Sequence, residues 1–123
     1  MSKRVLIVDD SAVMRMTIKN YLENAGYEIV GQASNGEQAI DLALELEPDV
    51  ITLDNILPDM LGLDILKFLR QEEEISSKIV MVSAVGQEAV IKQGKELGVD
   101  GYLVKPFNEK DIQDIVGAIL KQN

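Results

Sequence analysis

The sequence predicts an α/β fold in which a parallel sheet carries helices on both faces. Strand-like and helix-like segments alternate five times along the 123 residues, a pattern typical of βαβ units. The strand-like runs are continuously aliphatic, as expected of parallel strands that are buried on both faces. Hydrophobic residues make up 46% of the chain but aromatic residues only 4%, so the core of this fold must be aliphatic.

The first half of the chain contains three predicted strands and two predicted helices. The strands are residues 4–8, 28–33 and 50–53. Ser11 can cap the first helix, and Gly26 ends it. A turn at residues 34–36 precedes the second helix, which Pro48 stops. Apolar residues at helical spacing indicate the buried stripe of the second helix: Ala39, Ile40, Ala43 and Leu44.

The second half of the chain repeats the same alternation. The predicted strands are residues 79–82 and 102–104. A loop with Pro58 and Gly62 precedes a helix whose apolar positions are Leu63, Ile65, Leu66 and Leu69. Two further helices are predicted at residues 88–97, closed by Gly98, and at residues 109–120.

Charged side chains follow three of the predicted strands, at the point where each strand ends. Asp9 and Asp10 come after the first, Asp54 after the third and Lys105 after the fifth. Ligands of open α/β sheets bind in the crevice outside the carboxyl ends of the strands. Three carboxylates brought together there need compensation, which Lys105 and a hard cation such as Mg²⁺ can supply. Since the chain has no His and no Cys, any metal must be held by oxygen.

Composition excludes several classes of function. A net charge of −9 argues against a nucleic-acid-binding surface. The absence of Cys excludes disulfides, a zinc-thiolate site and a Cys nucleophile. The sequence has no apolar run near 18 residues and no signal-peptide pattern, so we expect a cytoplasmic protein without membrane insertion. The predicted elements fill residues 1–123, which indicates a single domain.

Together, the residues at the strand ends resemble the receiver domain of two-component response regulators. The resemblance covers essentially the whole chain, in the family's order and spacing. Residues 11–16 and 83–87 are most similar to the stand-alone chemotaxis regulators of that family. The resemblance implies a flavodoxin-like sheet of order 2-1-3-4-5, an order that the family itself exemplifies. The matching positions are Asp9-Asp10, Asp54, Pro58, Gly62, Ser83-Ala84 and Lys105-Pro106.

The resemblance assigns a role to each charged residue. It implies that Asp54 is the phosphoacceptor, whose carboxylate attacks phosphorus to form an aspartyl phosphate. Mg²⁺ would be held by Asp10, Asp54 and the backbone carbonyl of Ile56, with Asp9 bound through water. Lys105 would pair with a carboxylate before phosphorylation and with the phosphoryl group afterwards. The resemblance also implies a cis peptide bond between Lys105 and the following proline.

The resemblance further implies a switch at the fourth and fifth strands. The Ser83 hydroxyl and the backbone N–H of Ala84 would donate to the phosphoryl oxygens. Tyr102 would turn inward when Ser83 moves toward the phosphate. The residues two positions past Asp54 and past Ser83 are Ile56 and Val85, which offer no polar group to orient water. We therefore expect slow loss of the phosphoryl group.

The function implied is a phosphorylation-controlled signalling switch rather than an enzyme with a separate substrate. A sensor histidine kinase would supply the phosphoryl group. The output would be a changed binding face on the fourth helix, fifth strand and fifth helix, which a flagellar motor or another target recognises. We expect a chemotaxis role and a monomer before phosphorylation.

Three alternative functions follow from the same residues. The first is a phosphorelay intermediate that passes the phosphoryl group to another histidine protein. The second is a Mg²⁺-dependent phosphatase with an Asp nucleophile, although such enzymes usually carry a second Asp where this chain has Ile56. The third, a flavodoxin-like cofactor binder, is disfavoured because few aromatic residues are available to stack on a flavin.

Overall fold

The fold is a five-stranded parallel sheet with helices on both faces. The computed structural model describes residues 2–84 and 88–121. The helix Gly62–Lys67 continues directly into one turn of π-helix, Phe68–Glu72. In chain order the elements are β1 (Arg4–Val8), α1 (Ala12–Asn24), β2 (Glu28–Ala33), α2 (Gly36–Leu46), β3 (Val50–Asp54), α3 (Gly62–Lys67), β4 (Lys78–Ala84), α4 (Glu88–Glu96), β5 (Gly101–Lys105) and α5 (Glu109–Leu120).

The strand order is β2-β1-β3-β4-β5, and every neighbouring pair is parallel. This confirms the predicted fold class and the order 2-1-3-4-5. Consecutive side chains of a strand point to opposite faces, so each strand contributes to two cores. One core packs the sheet against α2 and α3, and the other packs it against α1 and α5. Both are built almost entirely of aliphatic side chains, as predicted.

Local signals in the sequence define most of the helix ends. The Ser11 hydroxyl accepts the Met14 N–H at 3.2 Å at the start of α1. Gly26, with φ of +90°, follows the end of that helix. An Asn side chain caps α5 in a reciprocal capping box with Asp111. The caps at Ser11 and Gly26 were predicted, because each depends on residues close in the sequence.

The strands that carry site residues are longer than predicted. β4 and β5 extend past their apolar runs, and Ala84 pairs with Lys105 at their carboxyl ends. Asp54 is likewise the last paired residue of β3. Cross-strand pairing continues where hydrophobicity stops, so these residues are held by the sheet itself. The Lys105–Pro106 peptide bond is cis, as predicted.

The predicted stripe on α2 is buried only in part. Ala39 and Ala43 are buried and Ile40 is half-buried against the core, whereas Leu44 is 40% exposed. In the ranges 2–84 and 88–121, no helix is long and apolar enough to cross a membrane.

Candidate functional site

Three carboxylates meet at the carboxyl edge of the sheet. β1 and β3 are hydrogen-bonded neighbours in parallel register, so the residues that follow Val8 and end β3 lie side by side. One carboxylate oxygen from each of Asp9, Asp10 and Asp54 lies within 4.8 Å of the others. Asp9 and Asp54 are buried and Asp10 is exposed. The predicted convergence of the acids is confirmed.

Lys105 reaches this cluster from the far strand of the sheet. Its ammonium Nζ lies 3.0 Å from Asp9 Oδ2 and 3.5 Å from Asp54 Oδ1. The other oxygen of Asp9 accepts the backbone N–H of Ser11 at 2.9 Å. Both oxygens of Asp9 therefore have protein partners. Asp10 and Asp54 are the carboxylates better placed to take a ligand from solvent.

The Asp54 carboxyl has a raised pKa. Burial is the largest cause, because it disfavours the charged form, and the negative charge of Asp9 adds to it. The Lys105 ammonium opposes both effects, and Asp10 raises the pKa further. Additional positive charge near Asp54 would therefore stabilise the charged form of its carboxyl group. The donor set is entirely carboxylate oxygen, which fits a hard cation such as Mg²⁺ and not a soft metal.

Ser83 and Tyr102 contact each other beside the acidic cluster. Ser83 is buried as the penultimate residue of β4, and its Oγ lies 2.5 Å from the Tyr102 hydroxyl oxygen. Either hydroxyl can be the donor. Ala84 ends the strand beside Lys105 and is exposed. The structure thus brings the predicted switch pair together, while Val85 lies outside the described residues.

The loop between β3 and α3 folds back on the carboxyl end of β3. Ile56 pairs with Leu61 in an isolated antiparallel bridge, and Ile56 is 58% exposed. Gly62 lies directly against the strand end. A Cβ added to Gly62 would be 2.4 Å from the carbonyl oxygen of Asp54, so no larger residue fits without displacing the backbone. This explains the glycine of the predicted motif.

Sequence reasoning missed three residues that support the site. The Arg15 guanidinium donates to the Asp9 carbonyl at 2.7 Å and joins α1 to the cluster. Asn55 is buried, and its Oδ1 accepts the N–H of Leu63. The Asp59 carboxylate accepts two backbone N–H groups at the start of α2. For Asn55 and Asp59, residue type and spacing offer no signal, because each partner is set by the packing of the loop after β3. Arg15 donates to a backbone carbonyl, which every residue offers, so residue type does not reveal its partner either.

Comparison with known proteins assigns this architecture to a family. The family model of the response regulator receiver domain matches residues 5–117. The chemotaxis protein CheY of Thermotoga maritima is 39% identical over 121 residues, which cover 98% of this chain and all of that protein. The chain therefore belongs to the response regulator receiver family. Within that family it is a CheY-like receiver.

Solved structures agree with this assignment. The Vibrio cholerae chemotaxis protein CheY4 superposes with a TM-score of 0.88 at 31% identity, covering 97% of this chain and 99% of that one. A chain of the CheX–CheY–BeF3–Mg²⁺ complex from Borrelia burgdorferi superposes with a TM-score of 0.91 at 26% identity, covering 98% and 90%. Receiver domains are signalling switches rather than classical enzymes.

Proposed function

We propose that this chain is a single receiver domain that accepts a phosphoryl group on Asp54 from a sensor histidine kinase. The observation that carries the proposal is the position of Asp54 between two further acids and the Lys105 ammonium. An Asp54 oxygen attacks phosphorus while the bond from phosphorus to the histidine nitrogen breaks and the imidazole leaves. Catalysis then consists of positioning and charge stabilisation.

Mg²⁺ is the cofactor that the donor set favours. Asp10 and Asp54 would bind the cation directly with the backbone carbonyl of Ile56, and Asp9 through water, since both Asp9 oxygens are engaged by Lys105 and a backbone N–H. When bound, the cation neutralises charge that develops on the phosphoryl oxygens. Mg²⁺ is also a component of the Borrelia burgdorferi CheX–CheY–BeF3–Mg²⁺ complex, one chain of which superposes on this one.

Lys105 and Ser83 respond to the new phosphoryl group. Lys105 exchanges its carboxylate partner for a phosphoryl oxygen, which is a stronger acceptor. The Ser83 hydroxyl and the Ala84 N–H donate to the phosphoryl group, and the Ser83 contact with Tyr102 transmits the change to β5. The output is an altered surface on α4, β5 and α5, which a protein target recognises.

A chemotaxis role is the pathway we favour, because the identity to a CheY protein extends over the full length of that relative. The target would then be the flagellar motor or another chemotaxis output. The domain would act in the cytoplasm and be monomeric before phosphorylation. A phosphorelay intermediate remains the alternative within the family.

Intact-mass spectrometry with a small acyl phosphate and Mg²⁺ tests the proposal. We expect one phosphoryl group per chain, lost when Asp54 is replaced by Asn. Asp41→Asn is a matched control, because Asp41 is exposed on α2 away from the cluster. Labelling that persists in Asp54→Asn would refute the assignment. Continuous release of phosphate without a stable label would instead favour the alternative function of a Mg²⁺-dependent phosphatase with an Asp nucleophile.

A further inference from the structure

Asn55 is a buried polar residue directly after the proposed phosphoacceptor. It is 4% exposed, and its side chain faces the core layer that contains α3. Its Oδ1 accepts the N–H of Leu63 at 3.2 Å, and its backbone carbonyl accepts the N–H of Gly62 at 2.6 Å. One residue of the strand end therefore satisfies two N–H groups of the first turn of α3.

The side chain at the N-cap position of α3 cannot accept a hydrogen bond from the first turn of the helix. Leu61 has the extended backbone of an N-cap, with φ of −85° and ψ of 146°, but its aliphatic side chain accepts no hydrogen bond. Ser, Thr, Asp or Asn normally occupies such a position and satisfies an N–H two or three residues ahead. Asn55 supplies that acceptor from outside the helix, across the loop.

These contacts hold the first turn of α3 against the end of β3. Gly62 packs against the peptide that joins Asp54 to Asn55, so close that a Cβ would lie 2.9 Å from the Asn55 Cα. The two bonds of Asn55 then fix the direction in which the backbone leaves the strand. The next residue is Ile56, whose carbonyl is the proposed metal ligand.

We propose that Asn55 is a positioning residue for the metal site, a role that rests on the proposed function. Its side chain holds the backbone between Asp54 and Ile56 against α3, so that a carboxylate and a carbonyl from this short segment face one cation. Partners that orient metal ligands typically alter metal affinity by 10–100-fold when removed. Asn55 therefore affects Mg²⁺ affinity without contacting the ion.

Calorimetric titration with Mg²⁺ tests this role in the full chain. Asn55→Leu removes the acceptor at similar volume, and we expect the Mg²⁺ dissociation constant to rise about tenfold. Ser77→Ala is the matched control, since that buried hydroxyl donates to the Pro48 carbonyl far from the site. It should lower the melting temperature and leave Mg²⁺ affinity unchanged. Equal affinity in Asn55→Leu and the parent would overturn the inference.

A second variant separates positioning from simple helix capping. Leu61→Ser, added to Asn55→Leu, gives α3 a local cap. The strand end keeps the backbone bond from Gly62 but lacks the side-chain bond to Leu63. We expect the double variant to regain stability and still bind Mg²⁺ about tenfold more weakly than the parent. Parental affinity in the double variant would mean that Asn55 only caps the helix, and would overturn its positioning role even if Asn55→Leu alone does not fold.

Failure of this inference can be told from failure of the proposed function. A parent chain that binds no Mg²⁺ and takes no label on Asp54 would refute the proposed function itself. A parent that binds Mg²⁺ and is labelled, while Asn55→Leu has the same affinity, would refute only the role of Asn55.

Discussion

The Lys105 ammonium lies 3.0 Å from Asp9, although β5 and β1 are separated in the sheet by β3 and β4. The long lysine side chain crosses the carboxyl edge of these two strands. On its way it also comes within 3.5 Å of Asp54. The single Lys105 ammonium is therefore shared by two buried carboxylates. Since the cluster contains three carboxylates in all, it keeps a net negative charge.

Mg²⁺ should stabilise the fold, and Asp10→Ala should remove most of that effect. A ligand that binds only the folded state raises stability by mass action. Without Mg²⁺, Asp10→Ala should melt at a higher temperature than the parent, because one like charge has left the cluster. Thermal melting with and without Mg²⁺ measures both effects, and Asp41→Ala is the control. An equal Mg²⁺-dependent rise in Asp10→Ala and the parent would contradict the site.

The fold was predictable because its signals are local. Aliphatic runs mark the strands, and residues such as Ser11 and Gly26 mark helix ends through contacts with near neighbours. The acidic cluster was predictable for a related reason. Parallel strands bring their carboxyl ends to one edge, so Asp9 and Asp54 had to be neighbours once the strands were adjacent.

The supporting contacts of the site were not predictable in the same way. The Asp59 carboxylate accepts the N–H groups of Gly36 and Glu37 at the start of α2, which lie 23 and 22 residues earlier in the chain. Asn55 caps a helix at which Leu61 fails to do so. Each contact depends on the three-dimensional course of the loop after β3. Nothing in residue type or spacing selects these partners from the other polar residues nearby.

Thr52→Val should not destabilise the fold. Thr52 is fully buried in β3, and its Oγ1 has no hydrogen-bond partner within the described part of the chain. Burying an unpaired hydroxyl is unfavourable, so the valine variant should gain about 1 kcal/mol in unfolding free energy. Denaturant unfolding measures this change. Ser77→Ala provides the contrast, because it removes a paired buried hydroxyl and should lose about 1 kcal/mol. A loss of stability in Thr52→Val would contradict the prediction.

Asp59 should contribute stability that depends on pH. Its carboxylate accepts the N–H groups of Gly36 at 2.7 Å and Glu37 at 3.0 Å. These bonds, that of Gly36 first, hold the pKa of Asp59 below the ordinary value of 3.8. The stabilisation is therefore fully present above 3.8 and is lost as the pH falls through the lower, folded-state pKa.

The comparison of Asp59→Ala with the parent tests this pH dependence. The variant should melt at a lower temperature at neutral pH, and the difference should shrink as the pH falls below 3.8. Asp41→Ala, on the exposed face of α2, should show no comparable difference. A difference between parent and Asp59→Ala that stays constant across this range would rule out the charged carboxylate as its source.

Replacing Ile56 with Asn should speed the loss of the phosphoryl group from Asp54. Ile56 lies two residues past Asp54, the proposed phosphoacceptor, and its aliphatic side chain cannot hold a water for attack on phosphorus. An amide at this position could orient that water, and we expect hydrolysis to become about tenfold faster. Leu61→Gln is the matched control, because it adds the same amide at the exposed partner of Ile56 in the bridge and Gln is not a favoured N-cap residue. The mass of the intact, labelled protein followed over time measures both rates. Equal acceleration by the two variants would assign the effect to general loosening of the loop, and an unchanged rate in Ile56→Asn would refute the shielding by Ile56.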